Sequence, residues 1–174
     1  MRKVKYFIAN TLDGFIARED GSVDWLLMDG TDYGMSEFFK SIDAVLLGRK
    51  TYEFALTQGH GMKSSKGMSC YVFSRTLKPA HHSGVEIISE NAGEFVRNLK
   101  REAGKDIWLM GGGNLAASLL AEGVVDEISL NIHPVLLGSG IQLFPEIGKQ
   151  LDLKMTDWKA HKNGCLQLTY QVKT

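Results

Sequence analysis

The run VKYFIA, Val4 to Ala9, is apolar at nearly every position. A strand of that kind has no polar face to give to water. Both of its sides must be covered, which predicts a central strand packed between layers of helices. AVLLG (Ala44–Gly48) reads as another short buried strand, and CYVFS (Cys70–Ser74), VEIIS (Val85–Ser89) and IWLM (Ile107–Met110) as further strands. Helical patterns fall between them. Met35, Phe38, Phe39 and Ile42 form an i, i+3, i+4, i+7 stripe over residues 33–42, and RKTYEFAL begins a second helix. Asn91 and Glu94 have capping-box spacing before a third helix, and Asn114 is placed to cap a fourth. Strands alternating with helices predict an α/β domain with a mostly parallel sheet.

The pattern changes towards the C-terminus. Ile128, Leu130 and Ile132 share one face, as do Leu151, Leu153 and Met155, and again Leu166, Leu168, Tyr170 and Val172. Alternation with a period of two marks strands covered on one side. Asn163-Gly164, between the last two, is a strong hairpin signal. The sheet is therefore expected to end in an antiparallel hairpin. Residues 12–25 and His133–Glu146 read as loops. At 174 residues the chain is expected to form one domain spanning 1–174.

Several function classes fall away. Twenty Lys and Arg balance twenty Asp and Glu, so no charge excess advertises nucleic acid or an anionic membrane. The apolar runs are far shorter than a bilayer span. The basic-then-apolar N-terminus is interrupted by Asn10 and Asp13, too early for a signal peptide, so a cytoplasmic location is the default expectation. Cys70 and Cys165 form no C-x-x-C pair. His81 and His82 are adjacent, and His60, His133 and His161 lack ligand-type spacing, so no metal site is expected.

Three junctions are suited to an anion. In LLGRKTYE, Gly48 turns the chain out of a strand and places Arg49, Lys50 and Thr51 at a helix start, where free amides and the helix dipole favour negative charge. In IWLMGGGNLAASLL, Gly111, Gly112 and Gly113 allow close backbone approach, and Gly111, Gly113 and Ala116 fit G-x-G-x-x-[GA]. In FSRT, Ser74 and Arg75 follow a strand, and the Arg could hold a 2′-phosphate, favouring NADP over NAD. Each also has a plainer reading, as a capped surface helix, a tight packing turn or a solvated loop. A Rossmann fold wants its fingerprint at the first strand–helix turn, with an acid at the end of the next strand. Here the fingerprint comes late and the next strand ends at Ile132-His133, so the Rossmann reading fails while the anion cradle survives.

Taken in order, ANTLDGFIA, DAVLLGRKTYE, VFSR, WLMGGGNLAASLL and HPVLLGSGIQLF resemble the dihydrofolate reductase superfamily. The nearest likeness is to bacterial reductase-like proteins similar to the C-terminal reductase domain of riboflavin biosynthesis. The resemblance implies a dihydrofolate-reductase-like α/β domain and NADPH-dependent reduction of a small heterocycle, pterin-like or pyrimidine-like. It would set Ala9 and Ile16 beside the nicotinamide and Gly48, Arg49, Lys50 and Thr51 at the pyrophosphate. Ser74 and Arg75 would meet the 2′-phosphate, and Gly111, Gly112, Gly113, Asn114 and Leu115 would cover the cofactor from the other side.

Reduction of C=N also needs a proton. Counting back from the Gly-Arg pair, the resemblance points to Asp32 at the start of the first helix; helix capping is its plainer role. Asp13, in LDG, is a second candidate, with loop shaping as its alternative. The riboflavin-pathway reductases carry Ser where this chain has Thr11, and Glu where it has Met110. The second departure argues against their pyrimidine substrate. Glu53 is expected to cap or pair locally. Trp25, Phe38 and Phe39 are expected to wall a flat substrate. A binding module that holds a nucleotide without turnover is the competing reading. The late strands expose one face, and the resembling reductases commonly dimerise through such surfaces, so the resemblance implies a homodimer.

Overall fold

The computed structural model describes residues 1–57, 67–78 and 84–173. His60, His81 and His82 lie outside them. Eight strands form one sheet in the order β5-β4-β3-β6-β1-β7-β10-β9. Its strands are β1 (Val4–Thr11), β3 (Ile42–Gly48), β4 (Ser69–Phe73), β5 (Glu86–Ile88), β6 (Asp106–Gly111), β7 (Glu127–His133), β9 (Leu153–Ala160) and β10 (Leu166–Val172). From β5 through β7 neighbouring strands run parallel; β10 is antiparallel to β7, and β9 to β10. This is the expected α/β domain, a parallel sheet ending in an antiparallel hairpin.

Alternation along the central strands sends side chains to two cores. Ala44 and Leu46 of β3 join Val4, Tyr6, Ile107 and Leu109 in the larger core, packed against α3 (Ala92–Arg101) and α4 (Gly113–Ala121). Val45 and Leu47 point the other way, to Tyr52 of α2 (Arg49–Thr57). Phe7 stacks on Phe38 of α1 (Met35–Ser41), with ring centroids 4.3 Å apart. Continuous apolar runs are needed because each central strand feeds both layers.

Some local expectations change. Ile42 leaves the α1 stripe and opens β3, and its burial comes from the sheet. Asn91 precedes α3 with φ 50 and makes no capping bond, so the capping box with Glu94 does not form. The cap of α4 is Gly112, which puts Asn114 inside the helix. Within the predicted loops, Phe15–Ala17 (β2) and Ile141–Gln142 (β8) pair as a small antiparallel ribbon. Along β9, Leu153, Met155 and Trp158 are exposed; register pairs them with Val172, Tyr170 and Leu168, across a bulge between Thr169 and Tyr170. No helix among the described residues is long and apolar enough to cross a membrane.

The two-sided core predicts unequal costs. Leu46→Ala should lower the unfolding free energy by about 2–5 kcal/mol in a denaturant melt. Leu136→Ala, whose side chain is 71% exposed, should stay within about 0.5 kcal/mol.

Candidate active site

The carboxyl ends of β1, β3 and β6 open onto one cleft of about 1400 Å³. Parallel strands produce such a site because their carboxyl ends, and the amino ends of the helices that follow, meet at one edge. Two of the glycine junctions meet there. A Cβ on Gly48 would sit 3.3 Å from the Gly112 amide nitrogen, and one on Gly112 would sit 3.3 Å from Thr51 Oγ1. Gly111 has φ 137, a conformation that L side chains rarely adopt, and the Gly111–Gly112 peptide is cis. The starts of α2 and α4 are thus held side by side, and α4 has no side-chain cap on its first amides.

Most of the expected cofactor residues converge on this cleft. Ala9, Ile16, Gly48, Arg49, Lys50, Thr51, Gly111, Gly112, Gly113, Asn114 and Leu115 all line it. Arg49 is half exposed, with Glu53 Oε1 3.9 Å from its Nη1, so Glu53 pairs locally as expected while also lining the cleft. Ser74 and Arg75 line a neighbouring hollow of about 470 Å³ with Ile88, Glu90 and Asn91, and Phe73 borders both spaces. Ser74 Oγ accepts the amides of Thr76 and Leu77, so it shapes the turn that presents Arg75. Arg75 is exposed and forms no ion pair among the described residues.

The expected acids and aromatics divide differently. Asp32 is exposed, receives the Ser36 amide at 3.4 Å and does not line the cleft; the Ser36 side chain foremost, and then the amide, hold its carboxyl below the usual range. Asp13 also stands outside the lining. Its Oδ1 accepts the Thr11 hydroxyl at 2.5 Å and its Oδ2 the amides of Leu137 and Gly138 at 2.9 and 2.8 Å. The Thr11 bond foremost, and then the two amides, lower its pKa. Of the aromatics, Trp25 lines the cleft and is buried, and its indole nitrogen has no partner among the described residues. Phe38 turns inward onto Phe7, and Phe39 stands half exposed beside Trp108; neither lines the cleft. The carboxylates that do line it are Glu19, Asp20 and Glu53. Glu19 and Asp20 were missed because they sit on a loop whose path over the cleft is set by tertiary packing, with Gly21 against the Phe54 ring.

Residues 2–167 match the family model of the RibD C-terminal domain. The chain belongs to that family. The uncharacterized protein YwjB of Bacillus subtilis is 40% identical over 162 residues, covering 91% of each chain. The structure of a putative riboflavin biosynthesis protein from Shewanella sp. PV-4 matches with a TM-score of 0.85 and 25% identity, covering 100% of both chains. A dihydrofolate reductase from Enterococcus faecalis, complexed with NADP(H), shares the fold at a TM-score of 0.71 and 18% identity, over 99% of this chain and 97% of that one. This RibD C-terminal-type domain therefore carries a reductase-type, dihydrofolate-reductase-like fold.

Asp13 ties the β1–β2 loop to the 137–138 turn. Asp13→Ala should speed hydrogen exchange at the Leu137 and Gly138 amides while leaving β1 protected. Because its pKa is lowered in the folded chain, the brace should be intact above the free carboxylate range and be lost as pH falls through the folded value.

Proposed function

We propose that this protein is an NADPH-dependent reductase of a small heterocyclic substrate, pterin-like or pyrimidine-like. The observation that carries this reading is the meeting of the two glycine junctions at one cleft, contiguous through Phe73 with the hollow that holds Arg75. A dinucleotide phosphate has three parts that need such separate grips. Backbone amides at the starts of α2 and α4, with Arg49, Lys50 and Thr51, suit the pyrophosphate. Arg75 suits a 2′-phosphate. Ala9, which is small, leaves room for the flat nicotinamide, Ile16 offers it an apolar contact, and Trp25 with Leu26 walls the cleft as well. When bound, the cofactor would supply the hydride. The chain's own part is to bind it, exclude water and present the substrate face. In this reading the Enterococcus reductase, whose NADP(H) complex shares the fold, supports the choice of cofactor.

Arg75→Ala tests the cofactor assignment. Loss of a charge-assisted contact of about 1.5–3 kcal/mol should weaken NADPH binding by about 10- to 100-fold. NADH binding should change little, and an equal loss for both would remove the 2′-phosphate assignment. A second reading, a module that binds a nucleotide without turnover, is favoured by Asp13 and Asp32 standing outside the cleft. Dihydrofolate, pterins and aminopyrimidines should therefore be screened for loss of reduced-nicotinamide absorbance. Tight NADPH binding with no oxidation across that panel would favour the module.

We also propose that the protein forms a homodimer through β9. Its outer edge is unpaired, and Leu153, Met155 and Trp158 expose apolar surface on one face. A two-fold copy would cover the same strand on each chain. Light scattering should give a dimer mass for the native chain and a monomer mass for Trp158→Lys; a native monomer would sink the proposal.

A further inference from the structure

Behind the Trp25 wall lies a buried polar group that hydride transfer does not use. His133 ends β7 and is 1% exposed. The Trp25 ring stands edge-on to its imidazole, with centroids 5.3 Å apart at 79°, and Tyr33 packs beside it at 5.6 Å. The Leu27 amide points at Nδ1 from 3.4 Å. Nδ1 is therefore the acceptor, and the ring proton sits on Nε2.

A second line of donors ends at the same atom. Asn163 Nδ2 donates to Tyr33 Oη at 2.7 Å and to Asp29 Oδ2 at 2.8 Å. With its oxygen so engaged, the Tyr33 hydroxyl keeps its own hydrogen for Cys165 Sγ, 3.6 Å away. The Cys165 thiol hydrogen is then free for His133 Nδ1, also at 3.6 Å. The chain runs from the β9–β10 turn through the 25–33 segment and β10 to the end of β7. With Nδ1 as acceptor, the Leu27 amide and the Cys165 thiol both face its lone pair, an arrangement that a neutral imidazole accepts.

We propose that His133 is a positioning residue for Trp25. Its neutral ring latches residues 25–33 against β7 and β10, and a second proton on the imidazole releases that wall of the cleft. A proton on Nδ1 would face the Leu27 amide and the Cys165 thiol hydrogen, and the contacts would repel. The proposal rests on the reductase reading only in treating Trp25 as part of the substrate wall.

The surrounding charges set the direction. Burial lowers the imidazole pKa below its ordinary 6.5, while the Asp29 carboxylate acts the other way, more weakly. Asp29 itself is held at about 2, chiefly by Asn163 and then by Thr31, so it is charged throughout the window. From the residue just before β10 comes the Cys165 thiol, and beyond Tyr33 stands His161, with ring centroids 5.0 Å apart. From β1 comes Thr11, the register partner of His133, with its hydroxyl bonded to Asp13. A lowered histidine pKa means the latch is complete above the free imidazole value and weakens as pH falls below it.

Hydrogen exchange on the whole chain at about pH 7.5 and about pH 5.5, corrected for intrinsic rates, tests this. One unit below the free value, a site protonated only when open favours opening by about tenfold. Exchange in peptides spanning 25–33 should rise at the lower pH, by at most about that factor, with α3 and α4 unchanged. His133→Gln, which keeps an acceptor but cannot titrate, should show the same protection at both values. Equal protection of the native chain at both pH values, or the same acid loss in the variant, overturns the proposal. Should the variant fail to fold, imidazole nitrogen NMR on the native chain decides. A histidine in the Nε2–H tautomer titrating below the free value supports the latch, and no such histidine overturns it. NADPH titration at the upper pH is the separate control: no binding there would remove the cofactor reading and leave the exchange result standing.

Discussion

The contact on which the site depends is between two pieces of backbone. Gly48 ends β3, Gly112 caps α4, and the space between them leaves no room for a Cβ on either without pressing the Gly112 nitrogen or the Thr51 hydroxyl. Bringing two helix amino ends this close would be unfavourable in isolation, because their partial positive charges repel. The sheet enforces it. β3 and β6 are neighbours, with Leu47 in register with Gly111, so their following helices must start side by side. What the sheet creates is a pair of helix amino ends facing one opening, a place that favours an anion.

The loops around that opening are held by short-range polar bonds rather than by the core. Thr11 Oγ1 donates to Asp13 and accepts the Phe15 amide, while Asp13 holds the 137–138 turn. β2 then pairs with β8, where a Cβ on Gly140 would collide with the Ala17 carbonyl. Ile16 and Ala17 on one side and Gly140, Ile141 and Gln142 on the other therefore reach the cleft as a single ribbon. Asp13 acts here by charge and geometry, as an acceptor for amides from a distant loop, which is a different use of a carboxylate from proton delivery.

The sequence made the sheet and the glycine junctions of the cleft legible for the same reason. Apolar runs such as VKYFIA and AVLLG report two-sided burial directly, and a glycine after a strand reports a backbone demand that no side chain can meet. The rest was less legible because it depends on which way a side chain turns. Phe38 and Phe39 are adjacent on α1, yet one stacks on Phe7 and the other lies half exposed by Trp108. Asn91 and Glu94 have the spacing of a capping box, but Asn91 adopts φ 50 and its side chain makes no capping bond. Asp32 matched a position by counting, and three dimensions place it at the outer surface with Ser36. His133 had no ligand-type spacing and no motif; its importance comes from Cys165, Asn163 and Trp25, which are far apart in the chain.

The two halves of the cleft thus differ in how they are built. The half at the glycine junctions is made mostly of main chain, whose amides suit the phosphate of the proposed cofactor whatever side chains surround them. The other half is made of side chains held by one another. Met110 lines the cleft, and Trp25 stands edge-on to the imidazole that ends β7. The acids that line the cleft, Glu19, Asp20 and Glu53, come from the loop after β2 and from α2 instead of the strand floor. A substrate in that space would meet an apolar, neutral floor and an acidic rim. In the proposed reduction a proton would then reach the reacting atom from the rim or from solvent. The position of residues 18–33, which form much of that rim and wall, then governs when the reacting atom is exposed to either.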